Sequence, residues 1–468
     1  MIQAMRNEPA PWSPPDWAAM RGNRQMLPVP TAMPMALRIN PSREEKRWFT
    51  LESSCLFMGC CCYCNDNDYY GNFSFGSSYF CFCNLHFVNC KMRNKKPFTP
   101  FPTTGYYGPA FFCDREEESR KLISHIMSGQ STTLAAIRRL GKTALIRHVQ
   151  QKMKPEWIPV YADILPTENA DDLLKYLATS IIQAIPEKSR QGKKIWALIK
   201  SLRPVISYDS YSGMPNLSFS LRPDESRQPL QELLSLMEQG DKPVLFAIDE
   251  FQQILNYPEP NVDAWLRKII QELKNVVFIY CGSQQHLMND LFTNPSRPFF
   301  RSTLFQQLDK IPSEIYAKFI TEQFYKHGRK IPFESVDEIL AWTDVHTYYV
   351  QLVCNRVFAN IPGNVPEKAW KGEALKLLKE QEYVFFGYRE VLTQAQWHLL
   401  KAAALEGKLY APTSKDFIGR YQLGSPATVL RSIDSLLRKE LLFKNFDKQG
   451  TTYYGVYDIL FRRWIETI

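Results

Sequence analysis

One stretch of eight residues, Ala136-Ile137-Arg138-Arg139-Leu140-Gly141-Lys142-Thr143, ends in a glycine, a lysine and a hydroxyl side chain in direct succession. A short apolar run, Thr132-Thr133-Leu134-Ala135, comes before it, and a helical apolar period from Ala144 to Lys152 comes after. Strand, loop, helix is the order that a polyphosphate requires. Gly141 lets the backbone curl so that successive N–H groups face phosphate oxygens. Lys142 is placed to reach the β- and γ-phosphates, and Thr143 to offer its hydroxyl to Mg²⁺. The helix behind contributes its positive end. The expected nucleotide contacts are therefore Ala136, Arg138, Arg139, Leu140, Gly141, Lys142, Thr143 and Ala144. Ala136 stands where such loops usually begin with glycine, which alanine can replace wherever φ stays negative. Taken alone, Gly-Lys-Thr also occurs as an exposed basic turn.

A second constellation removes that alternative. Pro243-Val244-Leu245-Phe246-Ala247-Ile248 is continuously apolar and ends in Asp249-Glu250. Such a run reads as a parallel strand buried on both faces, and ligands of open α/β sheets sit at the carboxyl ends of their strands. Asp249 is expected to hold Mg²⁺ together with Thr143, and Glu250 to polarise the attacking water. A third run, Asn275 to Cys281, ends in Gly282-Ser283-Gln284. Ser283 at that tip is expected to touch the γ-phosphate or its water, with Gln284 as the alternate and a simple helix cap as the plainer reading. Arg301, and Arg297 before it, could supply a catalytic guanidinium in cis or across a subunit boundary. More often such arginines are solvated or pair with a nearby acid.

These residues need a scaffold, and the chain supplies an alternating βα pattern. Trp157–Ala162 adds a strand, and helices are expected over 171–185, 228–238 and 262–273. Asp114-Arg115-Glu116-Glu117 has the form of a capping box for a helix to Met127. Residues 206–209 and 216–221 alternate around Gly213-Met214-Pro215 as a hairpin. From Ser313 to about 383 the pattern is helical, with His346 just before the helix at Thr347. Thr393 onward reads as a winged helix-turn-helix: helices at 393–405, 414–421 and from Pro426, then a wing hairpin around Asp447-Lys448-Gln449-Gly450. Thr428 and Arg431 on the third helix, with Lys444 and Lys448 on the wing, are the candidate DNA contacts. The expected fold class is α/β: a P-loop NTPase parallel sheet with a helical lid, followed by a winged helix-turn-helix domain.

Composition constrains the rest. Of 468 residues, 45% are hydrophobic and 22% charged, which excludes a wholly disordered or collagenous chain. No run is long and apolar enough to span a bilayer. A net charge of +9 permits an acidic partner without demanding one. Eight of the 11 cysteines crowd into Cys55–Cys90 in C-x-C and adjacent pairs that suit tetrahedral zinc poorly. The other three, Cys113, Cys281 and Cys354, look like buried thiols of a cytoplasmic protein. Residues 1–91 are therefore expected to be an extension outside the folded protein, with Met92 as its start. The domains then follow as ATPase core 92–310, lid 311–387 and winged helix 388–468.

Taken together, R-R-L-G-K-T, the D-R-E-E-E helix start, L-F-A-I-D-E-F, C-G-S-Q, H-T-Y-Y-V-Q and the ending V-Y-D-I-L-F-R-R-W resemble the archaeal-type ATPases also found in Bacteroidetes-like bacteria. That group is related to the AAA+ and STAND classes and has a Cdc6/Orc1-like architecture. Over about residues 98–468 the resemblance implies ATP and Mg²⁺ at Gly141, Lys142, Thr143, Asp249 and Glu250. The expected activity is ATP hydrolysis coupled to a winged-helix output, with duplex DNA, a protein partner or further copies of the chain as associates. The alternative is a slow nucleotide-gated switch or DNA-binding regulator with little turnover.

Overall fold

The structure is a computed structural model describing residues 99–202, 204–208, 215–218, 226–447 and 449–467. All of these fall in one compact unit, Val88–Ile468. The cysteine cluster and the boundary expected at 91/92 lie outside the described residues, as do the apex of the 206–221 hairpin and Lys448.

After α1 (Glu116–Met127) come β1 (Thr132–Ala135), α2 (Lys142–Met153), β2 (Ile158–Asp163), α3 (Ala170–Ala184) and α4 (Arg190–Ser201). A hairpin of β3 (Val205–Tyr208) and β4 (Pro215–Ser218) follows, and then α5 (Arg227–Glu238) and β5 (Val244–Asp249). The core closes with α6 (Val262–Ile270), β6 (Val276–Gly282), α7 (Gln285–Thr293) and β7 (Leu304–Gln307). Five strands lie in the order β2-β5-β6-β1-β7, every pair parallel. Parallel neighbours need crossovers, which place helices on both faces of the sheet. The side chains of β5 divide accordingly. Val244, Phe246 and Ile248 enter a core with α3, α5, α6 and α7, whereas Leu245 and Ala247 enter another with α1 and α2. That double burial is why the run carries no polar alternation.

One local expectation is corrected, and one strand was not foreseen. Asp114 and Glu117 form no capping box: α1 starts at Glu116, and its N-cap is Arg115, in the left-handed region at φ 68° with no side-chain cap bond. The Arg115 side chain turns inward instead. It is buried, pairs with Glu118 at 2.7 Å and donates to the Leu140 carbonyl of the phosphate loop at 3.5 Å. β7 gave no sequence signal because Leu304, Phe305 and Gln307 are exposed, and its place comes from backbone pairing with β1.

The lid contains α8 (Ser313–Lys326), α9 (Phe333–Trp342), α10 (Thr347–Asn360) and α11 (Ala369–Val391). Next come α12 (Gln394–Glu406), α13 (Lys415–Tyr421), α14 (Pro426–Arg438), β8 (Leu442–Phe446), β9 (Thr452–Val456) and α15 (Ile459–Ile465). Thr393 and Gln396 form a reciprocal capping box at α12, and Ser425 caps α14 ahead of Pro426. α11 runs through the boundary expected at 387/388. Val350, Trp370 and Phe385 share one core with Trp397, Leu400, Phe461 and Trp464. Lid and winged helix therefore pack as a continuous body.

Candidate active site

The parallel sheet brings the carboxyl ends of β1 and β5 together, and the two sequence constellations meet there. Thr143 donates to Asp249 Oδ2 at 3.0 Å, across 106 residues of sequence. Lys142 is buried and donates to the Ala136 carbonyl at 3.4 Å, which folds its ammonium back over the loop. Positive φ falls at Arg139 (64°) and Gly141 (97°) but not at Ala136. The missing first glycine thus costs no backbone strain, whereas an L residue at 141 would be strained.

Asp249 takes four donors. Cys281 Sγ and the Glu250 backbone N–H reach Oδ1 at 3.0 Å each, while Thr143 and the Tyr161 hydroxyl (2.6 Å) reach Oδ2. Burial first, and then Asp249 itself, push the Cys281 and Tyr161 pKa values far above the physiological range, so both stay protonated and remain donors. The Arg147 guanidinium lies 3.9 Å over the Tyr161 ring. A carboxylate held this firmly beside a hydroxyl suits a hard, oxygen-seeking cation, and Thr143 and Asp249 are the residues that would hold Mg²⁺.

Glu250 stands one residue on, in the left-handed region at φ 56°. Its Oε2 accepts from Gln252 Nε2 (2.6 Å), the Ser283 hydroxyl (2.9 Å) and the Ser283 backbone N–H (3.1 Å). Ser283 therefore grips the carboxylate and is not a helix cap; the N-cap of α7 is Gln284, without a side-chain cap bond.

A cavity of about 340 Å³ joins these groups to two further surfaces. One wall is the segment Pro102–Tyr107 with Phe111, Phe112 and Arg115, and the other is Ile311, Tyr316, Tyr348 and Gln351 of the lid. They come from segments about 200 residues apart, and the matches at Asp114–Glu118 and His346–Gln351 gave none of them a place at this cavity.

The geometry can now be compared with known proteins. Residues 383–467 match the family described as "Probable winged helix domain". The Walker-type ATPase paby2304 of Pyrococcus abyssi superposes with a TM-score of 0.56 at 17% identity, covering 79% of this chain and 100% of that one. The chain has the fold of a Walker-type P-loop ATPase. Also similar are the Aeropyrum pernix ORC2 protein in ADPNP–ADP complexes (TM-score 0.48, 13% identity, 78% and 95% covered) and the Aeropyrum pernix ORC1 protein in complex with DNA (0.43, 12%, 79% and 96%). No curated protein matches the sequence.

In this P-loop ATPase fold the two arginines after α7 stand away from the phosphate loop. Arg297 pairs with Asp290 (Nε to Oδ2, 2.7 Å) and lies 3.8 Å from Asp263. Arg301 precedes β7. Because β7 is parallel to β1, Arg301 sits at the amino edge of the sheet, in a separate cavity of about 390 Å³ with Arg267, Ser131 and Leu304. It does not line the cavity at the phosphate loop of its own chain, which argues against a catalytic role in cis. Among the DNA candidates, Arg431 and Lys444 are exposed, and the Thr428 hydroxyl is engaged with Ser425 at 3.0 Å. The exposed face of α14 also carries Leu430 and Asp434, which dilutes its positive charge. Among the described residues, no helix is long and apolar enough to cross a membrane, and no group of three metal-ligating side chains occurs.

The lid touches the phosphate loop directly. His346 is buried, and its Nε2–H donates to the Arg138 carbonyl at 3.0 Å. Burial, reinforced by Lys310 and Arg139, pushes the ring down to about 4, against the Arg138 hydrogen bond and Asp344, which favour protonation. The unfolded ring takes up a proton near its ordinary value of about 6.5, while the folded ring stays neutral to about 4, so stability falls as pH drops through that window. Near pH 5 the loss attributable to His346 is about 2 kcal/mol. Thermal melts of wild type and His346→Gln between neutral pH and about pH 5 measure it, and the variant should show the shallower decline.

Proposed function

We propose that this chain is a Mg²⁺-dependent ATPase whose phosphate loop reports nucleotide state to the winged helix. The observation that carries the reading is the double engagement of Arg138, in the middle of the loop. Its carbonyl accepts from His346 of the lid, and its guanidinium pairs with Glu440, just past α14 in the winged helix, 302 residues away. Arg139 lies 4.5 Å over the Tyr348 ring, and Tyr349 donates to Asp458, the N-cap of α15, at 3.0 Å. A loop that closes around a phosphate cannot rearrange without moving these contacts.

In this reading Gly141 and the start of α2 cradle the phosphates, Lys142 neutralises them, Thr143 and Asp249 hold Mg²⁺, and Glu250 polarises water. Ala136, Arg138, Arg139, Leu140 and Ala144 complete the loop's contacts. Ser283 acts through Glu250. Arg301, at the opposite edge, belongs to the reading only as a group offered to the site of a second copy. Thr428, Arg431 and Lys444, with Lys448 outside the described residues, are the residues offered to duplex DNA.

The test is phosphate release by the full-length chain, with and without duplex DNA, in wild type, Glu440→Arg, Arg138→Glu and the double reversal. The Arg138 side chain is about half exposed, so the pair itself contributes under about 1 kcal/mol. Each single reversal should change basal turnover two- to fivefold, about 0.5–1 kcal/mol, and the double reversal should return it toward wild type. Single and double variants that all match wild type would sink the coupling.

A further inference from the structure

Gln252 is 2% exposed, in the short 3₁₀ turn that follows β5, and no motif calls for an amide there. Its Nε2 donates to Glu250 Oε2 at 2.6 Å. Its Oε1 has no hydrogen-bond partner although it is buried. Turning the amide over would set that oxygen against a carboxylate, so the donor orientation follows from charge alone.

The site is shaped for this side chain. A Cβ on Gly282 would come within 1.9 Å of Gln252 Oε1 and 2.8 Å of Met288 Sδ. Gly282 is not needed for its backbone, since its φ lies outside the left-handed region. The glycine at the tip of β6 is there to admit the amide. A methionine or leucine would fill the same space without leaving a buried acceptor unpaired, so packing alone gives no reason to keep a glutamine. What the amide supplies is the hydrogen bond to Glu250.

We propose that Gln252 is a positioning residue for hydrolysis. With Ser283 it fixes Glu250 Oε2, leaving Oε1 to meet the attacking water, and Gly282 is the cradle that makes this possible. The inference rests on the role given to Glu250 under the proposed function.

The experiment compares the full-length chain with Gln252→Met and, independently, with Gly282→Ala, which displaces the amide without altering it. Both should lower kcat by on the order of tenfold or more through misplacement of the base. KM and the Kd for a fluorescent ATP analogue should stay at the wild-type value, and retained binding shows that the fold is intact. In a Glu250→Gln background, assayed by single turnover, Gln252→Met should produce no additional loss. A wild-type or raised kcat for Gln252→Met, or a full additional loss in the Glu250→Gln background, overturns the positioning role. If Glu250→Gln itself turns over normally, or wild type does not hydrolyse ATP at all, the proposed function falls and this inference with it. The two failures are therefore distinguishable.

Discussion

Lys142→Ala in the full-length chain should weaken ATP binding by at least a hundredfold and abolish hydrolysis. The ammonium is buried in the loop, and its recorded partner is the neutral Ala136 carbonyl at 3.4 Å, a long hydrogen bond that phosphate can displace. A bound nucleotide would bring two or more negative charges to that point. Removing the cation leaves them with backbone N–H groups and the helix terminus alone. Losing one partner of a desolvated, hydrogen-bonded charge pair costs about 2–5 kcal/mol, and a hundredfold change in Kd corresponds to about 2.7 kcal/mol. Because the lysine contributes little to the core, the variant should melt within a few degrees of wild type. Titration with a fluorescent ATP analogue measures the loss. Wild-type affinity would mean that the loop does not hold phosphate.

Glu250→Gln should do the reverse, keeping nucleotide affinity while lowering kcat by about 10²–10⁴, the usual contribution of a positioned general base. The amide is isosteric, and its oxygen can still accept from Ser283 and Gln252 on the edge where Oε2 now accepts three donors. The carboxylate's ability to draw a proton from water is lost. A fall in kcat with KM and Kd unchanged identifies an interaction made only in the transition state. Equal losses in binding and turnover would instead place Glu250 among the metal-holding groups, and unchanged turnover would remove it from the chemistry. Assaying with and without duplex DNA in the same series separates a DNA-coupled ATPase from one whose winged helix serves a protein.

Much of this was legible along the chain. Gly141-Lys142-Thr143 lies between a strand and a helix, and the apolar run to Asp249-Glu250 marks a strand buried twice. Thr393–Gln396 and Ser425-Pro426 announce their helices. Each depends on backbone geometry or burial within a dozen residues, which composition and period encode directly. Sequence also led to the winged helix, because a short three-helix-and-wing unit carries its own caps and turn.

Tertiary structure decided what depends on contacts between distant segments. Asp114-Arg115-Glu116-Glu117 has the local form of a cap, yet Arg115 is drawn inward by Glu118 and the Leu140 carbonyl, and the helix starts one residue later. Ser283 looked like a phosphate sensor or a cap, and the neighbouring strand makes it a holder of Glu250. Arg301 was a reasonable finger by spacing, and the parallel direction of β7 carries it to the other edge of the sheet. Gln252 and Tyr161 lie in no quoted motif, and C-G-S-Q gave Cys281 no role, because their partners are set by which strands lie side by side. The link from Arg138 to Glu440 spans 302 residues and exists only because lid and winged helix share one core and close over the loop. Local residue order therefore chose the chemistry, through the backbone conformations and burial that each segment must adopt. The order of strands in the sheet and the packing of the C-terminal body chose which side chains meet it.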